Sequence, residues 1–131
     1  MNGVHLMSDL YGCAGEQALL LDRETLENFC VEACREGGLT PLGAHFHQFT
    51  YDTGEKAGVT GTVVLAESHL AIHTWPESGD VTIDVYVCNY SRDNSLRARN
   101  IMNKVAERFK PTSIKEHKVM RGEVNHITRA A

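Results

Sequence analysis

The sequence predicts an α+β fold: a two-layer sandwich in which a mainly antiparallel sheet carries two helices on one face. Three observations lead there. Val81 to Cys88 alternates strictly, with Val81, Ile83, Val85 and Val87 on one face and Thr82, Asp84, Tyr86 and Cys88 on the other. Strand patterns dominate the middle of the chain, and each of the two helical patterns stands between strands. At 131 residues, 42% of them hydrophobic, the chain is long enough for one core and short for two, so 1–131 reads as a single domain.

The elements follow in order. His5 to Tyr11 reads as a first strand, running into a turn region from Gly12 to Glu16. Asp22 can cap the helix that follows: Glu24 and Glu27 suit the positive end of its dipole, and Leu26, Phe29, Cys30, Ala33 and Cys34 form one apolar stripe. Gly37-Gly38 stops it. Thr40 to Thr50 is a second strand, Tyr51 to Gly58 a polar loop, and Val59 to Ala66 a third strand. After the strand at 81–88, a second helix runs from about Asn94 to Phe109, burying Ala98, Ile101, Met102, Val105 and Phe109, with Pro111 just beyond. Ser113 to Met120 is a last strand. The tail from Arg121, and above all 124–131, has the low apolar content of a disordered segment.

Composition narrows the function. A net charge of -4, with Lys and Arg scattered, offers no basic surface for nucleic acid. No apolar run approaches the roughly 20 residues needed to cross a bilayer, and the first residues lack a basic leader, so a cytoplasmic chain with no membrane partner is expected. The cysteines at 13, 30, 34 and 88 form no CxxC pair and read as reduced thiols, with Cys30 and Cys34 in the core.

Chemistry concentrates between Ala66 and Glu77, where a serine, two histidines, a tryptophan and two carboxylates interrupt an apolar stretch. If His69 to Trp75 is extended, His69, Ala71, His73 and Trp75 share a face. The run Glu67-Ser68-His69-Leu70-Ala71-Ile72-His73-Thr74-Trp75-Pro76-Glu77 resembles the signature of the prokaryotic pyruvoyl-dependent S-adenosylmethionine decarboxylases. The resemblance extends to His5-Leu6, Phe46-His47-Gln48-Phe49, Ile83 to Cys88 and Arg121-Gly122.

That resemblance implies a proenzyme that cuts itself between Glu67 and Ser68 into a β chain, 1–67, and an α chain, 68–131. Ser68 attacks the preceding carbonyl, the peptide becomes an ester, and β-elimination leaves a pyruvoyl group on residue 68. His73 is the implied base for that elimination, a role a neutral imidazole can fill near its ordinary pKa of about 6.5. Thr60 stands where the family often has a serine that assists processing. The pyruvoyl carbonyl forms a Schiff base with the substrate amine and needs no added cofactor. Cys88 is the implied proton donor, and its place beside Asp84 and Tyr86 on the polar face suggests an exposed thiol. Phe49, Trp75 and Glu77 match substrate-contact positions suited to an adenine ring, a sulfonium or a ribose hydroxyl. The family further implies a homodimer of αβ protomers, with sites near the interface, and a product that serves spermidine synthesis.

Other readings stand beside this one. Relatives with the same motif decarboxylate ornithine or arginine, and two departures, the loop at 51–58 and Asn89-Tyr90 after Cys88, lie near the site. A hydrolase using Ser68 and His73 lacks a Gly-x-Ser-x-Gly elbow. A non-enzymatic ligand-binding module fits the fold but not the motif. His45 and His47 share a strand face and invite a metal together with His69 or His73, yet no further ligands stand at recognised spacing, so no metal is expected.

Overall fold

The computed structural model describes residues 2–90 and 92–122. Six strands form one sheet: β1 (Gly3–Tyr11), β2 (Pro41–Thr50), β3 (Lys56–Leu65), β4 (Ser68–Trp75), β5 (Asp80–Cys88) and β6 (Ser113–Arg121). Their order is β2-β3-β4-β5-β1-β6, and every neighbouring pair is antiparallel. Three helices, α1 (Gln17–Leu21), α2 (Arg23–Glu36) and α3 (Ser95–Phe109), complete the described chain. The α+β sandwich expected from the sequence is the fold observed.

Alternation builds the core. Val4, Leu6 and Leu10 of β1, Leu70 and Ile72 of β4, and Val81, Ile83, Val85 and Val87 of β5 are buried on one face of the sheet. Leu26, Cys30, Ala33 and Cys34 of α2 join the same core, as do Ala98, Ile101, Met102, Val105 and Phe109 of α3. Burying each large side chain contributes about 1.5–3 kcal/mol, so this face fixes the register of β1, β3, β4 and β5, whose residues alternate into it. The opposite face presents Tyr11, Phe49, Val64, Trp75 and Val119, each between 39% and 50% exposed. Among the described residues no helix packs there.

Several boundaries move. Asp22 caps α2 as expected, accepting from the Thr25 amide at 2.9 Å and the Thr25 hydroxyl at 2.7 Å. Helix α1 leaves no signal in the sequence, because five residues are too few to show a helical period, yet it buries Leu19 and Leu20. The loop read as 51–58 ends at Glu55, because Tyr51 and Glu55 close it with an amide-to-carbonyl bond of 2.8 Å and Gly54 takes the left-handed turn position. Arg121 belongs to β6, opposite Gly3, rather than to the tail. The segment 124–131 lies outside the described residues.

Candidate active site

Strands β3 and β4 form a hairpin with Leu65 opposite Ser68, so Ala66 and Glu67 alone make the turn. Two-residue hairpin turns require left-handed backbone, which glycine or asparagine supplies most readily. Here Glu67 adopts it, at φ +65°. A non-glycine residue in that region costs about 1–2 kcal/mol, which is stored beside the Glu67–Ser68 bond. Ala66 donates its amide to the Thr40 carbonyl at 3.0 Å, tying the turn to the start of β2. Ser68 is half-buried, with Oγ 3.4 Å from the Ala66 carbonyl oxygen.

On its other side Ser68 pairs with Val87, one residue from Cys88. The Cα of Ser68 therefore lies about 5 Å from that of Val87, beside the end of β5. Cys88 points to the open face, as its place in the alternation requires, but it is not exposed: only 5% of it is accessible. The reason lies in what covers the strand end. Gly3 of β1 pairs with Cys88, the Asn89 amide bonds to the Asn2 carbonyl at 2.7 Å, and the buried Asn94 donates to the Cys88 carbonyl at 3.1 Å. Alternation gives the face but not the cover. The other three thiols are core groups: burial pushes Cys13 up to about 11 and Cys34 to about 12, and raises Cys30 further.

Thr60 and His73 form a second constellation. They are register partners on β3 and β4, with Thr60 Oγ1 2.6 Å from His73 Nδ1. His73 is exposed, and its ring lies 6.2 Å from that of Trp75. Both line a cavity of about 600 Å³ together with Phe49, Tyr51, Thr60 and Glu77. Phe49, Thr60, His73, Trp75 and Glu77, all marked in the sequence, thus share one pocket whose lining is mostly apolar, as a flat ring requires. Gly58 is required at its edge, because a Cβ there would meet the Thr74 carbonyl oxygen at 2.3 Å.

These two constellations do not meet within the chain. Ser68 and His73 occupy one strand five residues apart, which is about 16 Å of extended backbone, and the odd spacing turns them to opposite faces. The expectation that His73 stands near residue 68 therefore fails for a single copy. The register sets residue 68 opposite Val87, one residue from Cys88, with the two side chains on opposite faces, and it pairs Thr60 with His73 at the far end of β4.

The metal reading of His45 and His47 finds no support in the geometry: the His47 ring packs edge-on against Phe49 at 4.8 Å. Among the described residues, the ligand-type atoms that converge belong to His5, His69 and Asp84, within 4.8 Å of one another. This cluster escaped the sequence reading. Its only signal was the polar face of 81–88, since nothing local shows that β1 lies against β5.

Comparison with known proteins identifies the family and the fold. Residues 4–122 match the family model of S-adenosylmethionine decarboxylase. The S-adenosylmethionine decarboxylase proenzyme of Picrophilus torridus is 40% identical over 120 residues, covering 92% of this chain and 84% of that protein. The proenzyme of the same name from Acetivibrio thermocellus is 37% identical over 129 residues, covering 98% and 95%. The crystal structure of the adenosylmethionine decarboxylase from Aquifex aeolicus superposes with a TM-score of 0.78 at 32% identity, covering 94% of this chain and 92% of that one.

Proposed function

The chain belongs to the S-adenosylmethionine decarboxylase family, and from that premise we propose that it cuts itself between Glu67 and Ser68 and carries the resulting pyruvoyl group on residue 68. It is a carboxy-lyase that converts S-adenosylmethionine to its decarboxylated form and carbon dioxide, the former being an aminopropyl donor for spermidine. That small acid is a better match than ornithine or arginine for a pocket with two aromatic rings, Phe49 and Trp75, and the Glu77 carboxylate. We place this chemistry in the cytoplasm; no helix among the described residues is long and apolar enough to cross a membrane.

The observation that carries the proposal is the hairpin tip. Ser68 is bonded directly to the Glu67 carbonyl that its hydroxyl would attack, its Oγ lies at the turn 3.4 Å from the Ala66 carbonyl oxygen, and Glu67 holds a left-handed backbone that costs a non-glycine residue energy. Attack exchanges the amide C–N bond for an ester C–O bond. Removal of the α-proton of residue 68 then expels the Glu67 carboxylate, and water carries off the nitrogen as ammonia. The group is built on the Cα of residue 68, which the register holds beside Cys88, so the residues present fit it. When bound, it supplies a carbonyl that takes the substrate amine and accepts the electrons released with carbon dioxide. Cys88, sheltered from water by the loop after β5, returns a proton to the substrate carbon.

The base for the elimination comes from a second copy in this reading. His73 is about 16 Å along β4 from Ser68, beyond any proton transfer within one chain. A symmetric pair of chains with open faces together would cover Phe49, Val64, Trp75 and Val119, and would bring Thr60 and His73 of one copy toward Cys88 of the other and the backbone of residue 68 at the end of β4, whose side chain itself lies on the opposite face.

Denaturing electrophoresis together with carbon dioxide release tests the whole reading. The expected result is two fragments of about half the chain each and release from S-adenosylmethionine in preference to ornithine and arginine. An intact, active chain would overturn self-processing.

A further inference from the structure

On the open face, four neighbouring strands each contribute one side chain to a connected network. Asp84 of β5 receives His5 of β1 at 2.8 Å (Nε2 to Oδ2), and His69 of β4 brings its Nε2 to 3.3 Å from the same oxygen. Arg121 of β6 reaches Nδ1 of His5 at 3.1 Å. Tyr86 completes a triangle with the two imidazoles, its ring centroid 5.9 Å from His5 and 5.7 Å from His69, and the Arg121 guanidinium lies 4.6 Å above it. Gly3 makes room for that ring: a Cβ there would stand 2.7 Å from the Tyr86 hydroxyl.

The Arg121 contact decides what this cluster does. Guanidinium has donors only, so Nδ1 of His5 accepts and Nε2 carries the hydrogen given to Asp84. A metal on Nε2 would require the reverse tautomer and set two donors against each other. The group is therefore a polar clamp, hydrogen-bonded from Arg121 through His5 to Asp84, and at its far end the same carboxylate stands 3.3 Å from His69, the residue next to Ser68.

We propose that His69 is a positioning residue: held by Asp84, His5 and Arg121, it fixes the new N-terminus of the α chain beside Cys88 once the bond before residue 68 is cut. This rests on the self-processing reading above. Chain ends fray unless tied down, and cleavage removes the turn that tied residue 68 to Leu65. His69 is the first side chain after the cut with a partner on a neighbouring strand, and a small displacement of a reacting group costs much of its rate.

The test uses the full-length protein with His69→Leu, His69→Gln, Asp84→Ala and the double variant His69→Leu/Asp84→Ala. Each is followed for cleavage on gels, for kcat and KM with S-adenosylmethionine, and for melting temperature. All should cleave, while kcat falls about tenfold in each of His69→Leu and Asp84→Ala with KM within about twofold. The double variant should lose no more than about twofold beyond either single one, because the two act as one unit. His69→Gln, which keeps a donor at the Nε2 position, should stay within about threefold of wild type, and dialysis against EDTA should leave wild-type kcat unchanged. Losses that multiply, wild-type kcat in His69→Leu, a His69→Gln as poor as His69→Leu, or activity lost to EDTA would each overturn the proposal. Cleavage and activity of the wild-type chain, measured in parallel, report on self-processing separately.

Discussion

Thr60 Oγ1 lies 2.6 Å from Nδ1 of His73, directly across two paired strands. For His73 to take a proton through Nε2 that nitrogen must be bare, so Nδ1 carries the hydrogen and Thr60 accepts it. Thr60→Val should slow precursor cleavage about fivefold, the worth of one hydrogen bond near 1 kcal/mol, whereas Thr60→Ser should cleave normally. His73→Ala should slow it by about 100-fold or more. A cleavage time course on gels checks all three, and wild-type speed in Thr60→Val would remove Thr60 from processing.

The left-handed Glu67 gives a second expectation. If its strain is released as the bond breaks, residues that tolerate that conformation should stabilise the precursor and slow its cleavage. Glu67→Gly and Glu67→Asn should then cleave up to about fivefold more slowly, corresponding to about 1 kcal/mol, while Glu67→Gln keeps the wild-type rate. Equal rates in all three would show that the strain does not drive processing.

Cys88 should separate the two reactions. Cys88→Ala leaves Ser68, the turn and His73 in place, so it should yield both fragments yet lose about 100-fold in decarboxylation or release a wrongly protonated product. Product analysis by mass spectrometry distinguishes these outcomes from normal turnover, which would end the proton-donor assignment.

How much of this was legible before the structure depends on how local each signal is. The alternation of 81–88 and the Asp22 cap are written in adjacent residues, and both appear as read. The motif around Ser68 presents Ser68 and His73 as one cluster, whereas extended backbone turns five residues into about 16 Å. The position of β1 between β5 and β6 depends on pairings across more than 70 residues, so the meeting of His5 with Asp84 had no local trace. Burial of Cys88 likewise depends on Asn94 and the N-terminus folding over a strand end.

Asp22 should make stability depend on pH in the acid range. Its carboxylate is bonded first to the Lys56 ammonium and then to Thr25, which holds it well below the usual carboxylate range. A lowered folded pKa stabilises the fold fully above the unfolded value of about 3.9 and is lost as pH falls through the folded one. Asp22→Asn, which keeps the cap but not the charge, should melt below wild type at pH 7, with the gap closing under about pH 4. Thermal unfolding at pH 7 and at about pH 2 checks it, and a gap that stays undiminished at the lower value would show that charge is not the cause.

The separation of Ser68 from His73 permits the most direct experiment. Chains carrying Ser68→Ala lack the nucleophile, and chains carrying His73→Ala lack the base, so each alone should remain uncut. If the site is shared, a mixed dimer contains one place where an intact Ser68 meets an intact His73. Only the His73→Ala chain has a bond to break there. Co-expressing the two with a size tag on one should therefore cut about half of the His73→Ala chains, given random pairing of equal amounts into symmetric dimers, and none of the Ser68→Ala chains. Sites confined to single chains would give no cleavage in the mixture, because neither chain then holds both groups. If the site is shared, dilution below the dimer dissociation constant should also slow the cleavage of wild-type precursor, and a rate independent of concentration down to the monomer would argue against it.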